Sequence, residues 1–295
     1  AMQKKMASRD RILGPLITDP LVVHDEKLAP LFLDLLLERP ELRGAFRCPA
    51  DLQLITWSNY PKRTILEESL EYLGVSGCEV LGRDLTTFPL NAKISLTLDY
   101  LESGRCAAPY VAWMDSRDAV LTGDPSRFLS LLEEAACDAL FSTTDYRFPG
   151  CAAIHDIEKK RPEARGLPSP YLNSGVVVGK TEFLIEVLRS AKEHIGDAPC
   201  PLDPNNDQPV FAMVYNRLYP RLKVDAEQKL ALRPAMNDVY LYAAERTEGS
   251  FKRKLQQTWV WQALSALKEL FLIRGRFHPH LLRYFTIPAA RNREG

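Results

Sequence analysis

From residue 52 to residue 219 the sequence alternates short apolar runs with longer stretches whose leucines and alanines recur at helical spacing. That alternation is the pattern of an α/β domain, in which helices cover a mostly parallel sheet. Leu52-Gln53-Leu54-Ile55-Thr56-Trp57 is rich in strand formers. After it Leu66, Leu70 and Leu73 fall on one helical face, and Gly74 supplies a stop. Further strands are expected over residues 78–81, 110–114, 139–142 and 175–179. Helices are expected around Ile94, Leu98 and Leu101, and from Asp124-Pro125 through Phe128, Leu132 and Ala135. Thr181 is expected to cap another, with Leu184, Leu188, Ala191 and Ile195 inward. A last one opens near Asn206-Asp207, with Pro209 tolerated in its first turn.

The two ends depart from this alternation. Residues 28–42 form a Leu-rich helical stretch, and residues 251–273 a longer one with Leu255, Trp259, Ala263, Leu267 and Leu270 on one stripe. Such a stripe is expected to pack on the domain. The organisation read from this is a helical extension over residues 1–50, an α/β domain over 51–245, and a helical extension over 246–295.

Composition narrows the function. Thirty-eight Lys and Arg balance thirty-eight Asp and Glu, which gives no support to nonspecific nucleic-acid binding. No apolar run reaches the roughly 18–20 residues that span a bilayer. Residues 1–10 are polar and mixed in charge, so no secretory signal is expected. The six cysteines form no CxxC pair, which reads as reduced thiols in a cytoplasmic protein.

Several familiar motifs fail on spacing. Gly175-Val176-Val177-Val178-Gly179-Lys180-Thr181 has only three residues between its glycines, one short of a phosphate loop, and they are strand-forming valines. No GxGxxG or GxSxG is present. His24-Asp25-Glu26 has the HxE spacing of a zinc deaminase without its paired cysteines, so His24 is expected at the surface. His278-Pro279-His280 has no carboxylate or cysteine beside it.

What survives is Tyr110-Val111-Ala112-Trp113-Met114-Asp115-Ser116-Arg117-Asp118. A buried strand delivers two carboxylates to its C-terminal end, the edge at which open α/β sheets bind ligands. Hard oxygen donors so placed suit Mn²⁺ or Mg²⁺, either of which can bridge a diphosphate. A second cluster, Tyr171-Leu172-Asn173-Ser174-Gly175, is followed by Asn205-Asn206-Asp207-Gln208. These supply hydrogen bonds for sugar hydroxyls and a carboxylate for a positively charged transition state.

Taken in order, these segments resemble the GT-A fold glycosyltransferases, and most closely the glycosyltransferase domain of the procollagen lysyl hydroxylases. The likeness covers residues 52–238, nearly two-thirds of the chain. It includes Leu54-Ile55-Thr56-Trp57, Lys93, Met114-Asp115-Ser116-Arg117-Asp118 and Leu140-Phe141-Ser142. It continues through Asn173-Ser174-Gly175, Asn206-Asp207-Gln208 and Asn237-Asp238. The resemblance implies a Rossmann-like, mixed and mostly parallel sheet flanked by helices, with extra helices at both ends. It implies a metal-dependent transfer of a sugar from a nucleotide-sugar, UDP-linked by preference, to a hydroxyl of a saccharide, peptide or small molecule. Asp115 and Asp118 would hold Mn²⁺ or Mg²⁺ and the diphosphate. Thr56, Trp57, Lys93 and Arg117 would lie on the nucleotide side, and Asn173, Ser174 and Gly175 would line the sugar pocket. Asn206, Asp207 and Gln208 would serve catalysis.

The chain departs from that family in three places. Arg117 stands where an aromatic residue is expected to stack on uracil, so it would stack through its guanidinium, pair with phosphate, or mark another base. Val224-Asp225 is followed by Ala226 and not by the family's histidine, leaving Asp225, His278 and His280 as alternative third metal ligands. The terminal His-Gly-Asn-Gly signature is absent. Two other functions use the same residues. One is a nucleotide- or sugar-binding module without catalysis. The other is a sugar nucleotidyltransferase, against which the glycine-free loop Ser58-Asn59-Tyr60-Pro61-Lys62-Arg63 argues. The terminal helices would shape the acceptor side or a homodimer contact.

Overall fold

The computed structural model describes residues 20–26, 28–144, 152–159, 171–197 and 203–232. All of them fall in the first of two compact units, which divide between Pro234 and Ala235. The expected helix over residues 251–273, Asn237-Asp238, His278 and His280 lie outside the described residues.

In chain order the elements are β1 (Val22–His24), α1 (Ala29–Leu37), β2 (Leu52–Trp57), α2 (Ile65–Leu73), β3 (Glu79–Leu81), α3 (Ala92–Glu102), β4 (Tyr110–Met114) and β5 (Ala119–Leu121). They continue with α4 (Arg127–Glu134), β6 (Ala139–Thr144), α5 (Ala152–Lys159), β7 (Tyr171–Lys180), α6 (Thr181–Glu193), α7 (Gln208–Leu218), β8 (Leu222–Val224) and β9 (Ala231–Leu232). Six strands build the main sheet in the order β3-β2-β4-β7-β6-β8, and β7 alone runs against its neighbours. A second sheet, β5-β1-β9, has three short strands.

Alternation along β4 explains how one strand serves two layers. Ala112 and Met114 join the core that contains Leu33, Leu36, Leu66 and Leu70, so α1 and α2 cover that face. Val111 and Trp113 join the core of Ile94, Leu98, Leu184 and Phe211, from α3, α6 and α7. Trp113 packs edge-on against Trp57 and Phe141. Burying such a ring stabilises the fold by about 1.5–3 kcal/mol.

Local signals set most boundaries. Thr64 and Glu67 form a reciprocal capping box at the start of α2, and Gly74 ends it at φ +82°. A Cβ at Gly74 would also lie 2.7 Å from Gly44 Cα. Three expectations need correction. Residues 28–42 are not one helix: α1 stops at Leu37, and Pro40 opens a separate 3₁₀ turn, Pro40–Leu42. Asp124 does not cap α4, because its Oδ1 accepts from Ser126 N at 2.9 Å and the helix begins at Arg127. Thr181 is the first helical residue and not the cap, and its hydroxyl donates to Ala108 O at 2.6 Å. No helix among the described residues is long and apolar enough to cross a membrane. Cys48, Cys78, Cys106 and Cys137 are free thiols. Burial pushes Cys48 and Cys137 up to about 11 and Cys78 up to about 12, which favours the thiol over the thiolate at neutral pH.

Candidate metal centre

Asp115 and Asp118 occupy the turn from β4 into β5, at the C-terminal edge of the parallel strands. The turn is fastened on several sides. Asp115 N donates to Gly175 O at 2.8 Å, and Leu66 N, in the first turn of α2, donates to Ser116 O at 3.1 Å. Thr56 hydroxyl donates to Met114 O at 2.7 Å. From the other side β1 runs antiparallel to β5, with His24 opposite Ala119, and Asp25 N donates to Asp118 O at 2.8 Å.

That pairing brings in a residue the sequence reading had misplaced. His24 is not at the surface: only 2% of it is exposed. Its Nε2 lies 3.3 Å from Asp115 Oδ2 and 3.3 Å from Asp118 Oδ2. One donor atom from each of the three residues falls within a 4.8 Å span. Ligands about 2.1 Å from a shared cation stand about 3.0–3.4 Å apart when adjacent. The two histidine–carboxylate separations therefore fit a divalent ion, which His24, Asp115 and Asp118 would hold together. The apolar run Leu21-Val22-Val23 before His24 was the available signal, since a short strand ending in histidine delivers the ring to a sheet edge.

Asp225, the only described residue among the alternative third ligands, is engaged elsewhere. Its Oδ2 accepts from Leu230 N at 2.6 Å and closes the loop before β9.

Lys93, on α3, supplies the counter-charge. Its Nζ is 2.5 Å from Asp115 Oδ1, which leaves Oδ2 turned toward His24. The ammonium also sits 5.3 Å from the centre of the Trp57 ring. Burial opposes its charge, but Asp115, Asp207 and Asp118 together hold the lysine above its ordinary value. Burial likewise opposes ionisation of Asp115 and Asp118. Lys93 and His24 outweigh it at Asp115, and His24 does so at Asp118, so both acids stay below the usual carboxylate range.

The sugar-pocket expectation falls on a bulge. Between Phe141 and Ser142 on β6, the partner on β7 jumps from Val177 to Asn173. Ser174, Gly175 and Val176 are surplus to the β6 ladder, as in a bulge, while Val176 still pairs with Met114 of β4 on the other side. Asn173 Oδ1 accepts from Gly175 N at 3.1 Å and from Ser142 hydroxyl at 3.0 Å, while its Nδ2 donates to Gln208 Oε1 at 3.1 Å. Asn173 thus brackets β6, β7 and the start of α7. The three valines of the rejected phosphate loop are strand.

Asp207 stands at the N-terminus of α7 without capping it, and Asn206 Oδ1 takes the Gln208 N–H at 3.0 Å instead. The Asp207 side chain turns inward, 3% exposed, and bonds Ser174. Its Oδ2 has no hydrogen-bond partner among the described residues. Burial pushes Asp207 above the usual range; Lys93 opposes this and Asp115 adds to it.

The nucleotide-side expectations divide. Thr56 is fully buried and Trp57 is 5% exposed, and the Trp57 Nε1–H is given to Thr97 at 2.9 Å. Both support the site from behind, through Met114 and Lys93. Arg117 is exposed beside the two acids, its guanidinium 5.1 Å from the Tyr60 ring centre and its Nη1 donating to Tyr60 hydroxyl at 2.8 Å. Tyr60 is itself 46% exposed. Neither a protein-family model nor a curated protein matches this chain.

Proposed function

We propose that this chain is a metal-dependent glycosyltransferase of the GT-A type, moving a sugar from a nucleotide-sugar, UDP-linked by preference, to a hydroxyl acceptor. The observation that carries the reading is the convergence of Asp115 and Asp118 with His24 at the C-terminal end of β4, with the buried Asp207 electrostatically linked to them through Lys93. The sheet order, with β7 alone reversed, supports it.

Three carboxylates outnumber the Lys93 ammonium even with His24 protonated, so the site is negative, which suits a divalent cation and disfavours an unaccompanied diphosphate. A cation, which Asp115, Asp118 and His24 would hold, would supply charge neutralisation for the departing diphosphate. The protein's own groups do the rest. Lys93 fixes Asp115 through one carboxylate oxygen and leaves the other facing His24, where it would be available to a cation. Asn173 and Gln208 hold the bulge of β7 against α7, fixing where a sugar can lie. Asp207 offers one buried oxygen without a partner among the described residues, able to accept a hydrogen bond from a hydroxyl or to face positive charge developing at the anomeric carbon. In the reaction the bond from the anomeric carbon to the diphosphate breaks. A new bond forms to the acceptor oxygen, whose proton is released.

The test is release of diphosphate from UDP-, GDP- and dTDP-sugars with Mn²⁺, with chelator, and with Asp115→Ala/Asp118→Ala. One nucleoside diphosphate should appear, only with metal and only from the wild type. Metal-dependent nucleotide binding without release, with or without added acceptors, would instead make the chain a binding module. No metal-dependent binding at all would overturn both.

A further inference from the structure

We infer that His24, on the N-terminal strand β1, is the third protein ligand of the cation held by Asp115 and Asp118, so that the ion fastens β1 to the main sheet and is Mn²⁺ in preference to Mg²⁺. The inference rests on the reading of the two acids as cation ligands, and adds a residue from a segment outside the resemblance.

Three observations converge on it. His24 Nε2 is equidistant from the two carboxylates, 3.3 Å from each, as a shared partner requires. The ring is held from behind by the strand that carries it, because Val22 and Val23 pair on one side with Leu121 and Val120 and on the other with Ala231 and Leu232. Gly175 leaves room for the ring: a Cβ there would lie 2.1 Å from His24 Cε1 and 2.8 Å from Nε2. The backbone of β7 is pared to a glycine where histidine and Asp115 meet.

The chemistry sets the metal. Carboxylates and water suit Mg²⁺ and Mn²⁺ alike, whereas an imidazole nitrogen favours transition metals. The side chains of Asp115 and Asp118 are 19% and 30% exposed, so the ion is reachable on the acid side and closed on the histidine side. Diphosphate oxygens or water would complete the shell from the open side. Without an ion, the same geometry is met by a protonated imidazole bridging two carboxylates, and the experiment separates the two.

The full chain is titrated with Mn²⁺ and with Mg²⁺, and bound Mn²⁺ is read by pulsed electron paramagnetic resonance for nitrogen coupling. Wild type is expected to bind Mn²⁺ with a ¹⁴N coupling and at least tenfold more tightly than Mg²⁺. His24→Gln should lose the coupling, weaken Mn²⁺ about 10–100-fold, and narrow the gap to Mg²⁺. Hydrogen exchange on the wild type needs no variant: Mn²⁺ should slow exchange at Val22, Val23 and Asp25 as well as at Asp115. Bound Mn²⁺ without nitrogen coupling, or coupling that survives in His24→Gln, or bound Mn²⁺ that leaves β1 exchange unchanged, overturns the assignment while Asp115 and Asp118 keep their role. No Mn²⁺ binding at all removes both and leaves the protonated bridge. Nitrogen-coupled Mn²⁺ with no sugar-nucleotide turnover upholds His24 and rejects the transferase.

Discussion

Gly175 and His24 share one space: a side chain at position 175 would put its Cβ 2.1 Å from His24 Cε1. The φ of Gly175 is not in the left-handed region, so the requirement for glycine is steric and not conformational. Gly175→Ala must therefore displace the imidazole or Asp115, whose Oδ2 lies 2.6 Å from the same point. Overpacking of this kind costs about 1–3 kcal/mol. The expected outcome is a lowered melting temperature together with Mn²⁺ affinity reduced at least tenfold. A variant that binds Mn²⁺ as well as wild type would show that the ring is free to move without consequence.

On the proposed function, Lys93 and the cation would compete to neutralise the same acids. Removing one partner of a buried pair leaves an uncompensated charge, at a cost of about 3–5 kcal/mol. Lys93→Met should accordingly lower the melting temperature in the presence of chelator, and Mn²⁺ should restore more of it than it adds to wild type. Differential scanning calorimetry with and without metal checks this. Equal metal-induced shifts in the two proteins would mean that ammonium and cation do not share their charge partners.

How far the sequence was legible depends on how local the cause is. Strand β4 and its trailing acids were readable because burial alternation and a strand end are local properties, and the α2 box Thr64–Glu67 with Gly74 was readable for the same reason. His24 was only half legible: the run Leu21-Val22-Val23 marks a short strand, but the burial of the ring depends on where β5 and β9 pair with that strand, which is not a local property. Thr56 and Trp57 were placed correctly on β2, but whether their polar atoms face a ligand or the protein is decided by Met114 and Thr97, far away in sequence. The use of Asn173-Ser174-Gly175 depended on a register shift opposite Phe141 and Ser142, which the valine run after it conceals.

Arg117 and Tyr60 lie together at the exposed edge of the metal turn, a guanidinium over a ring. Among the described residues their side chains contact each other and not His24, Asp115 or Asp118, so on the proposed function they would act on the nucleotide without acting on the metal. Stacking of a planar group on such a pair is worth about 0.5–1 kcal/mol at an exposed site. Arg117→Ala and Tyr60→Ala should each leave Mn²⁺ affinity within twofold of wild type and weaken nucleoside diphosphate binding several-fold, measured by isothermal titration calorimetry. Loss of metal binding in either would place the pair in the structural support of the turn instead.

The raised pKa of Asp207, caused mainly by burial, fixes the sign of a pH effect. Burial makes the folded state hold this proton more tightly than the unfolded chain does. The stabilisation this gives is fully present below the unfolded value, about 3.9, and is lost as pH rises through the folded value. Asp207→Asn does not titrate, so the difference in melting temperature, variant minus wild type, should grow as pH is raised from 4 and then level off above the folded value. The measurement belongs in chelator, where no cation stabilises the ionised form. A flat difference across that range would show that the carboxylate is not perturbed. The same variant should lose at least about a hundredfold in sugar transfer, the usual scale for removing a group that acts on the reacting centre. Both outcomes together would mean that the fold keeps that oxygen ionisable for the proposed chemistry, against its own stability.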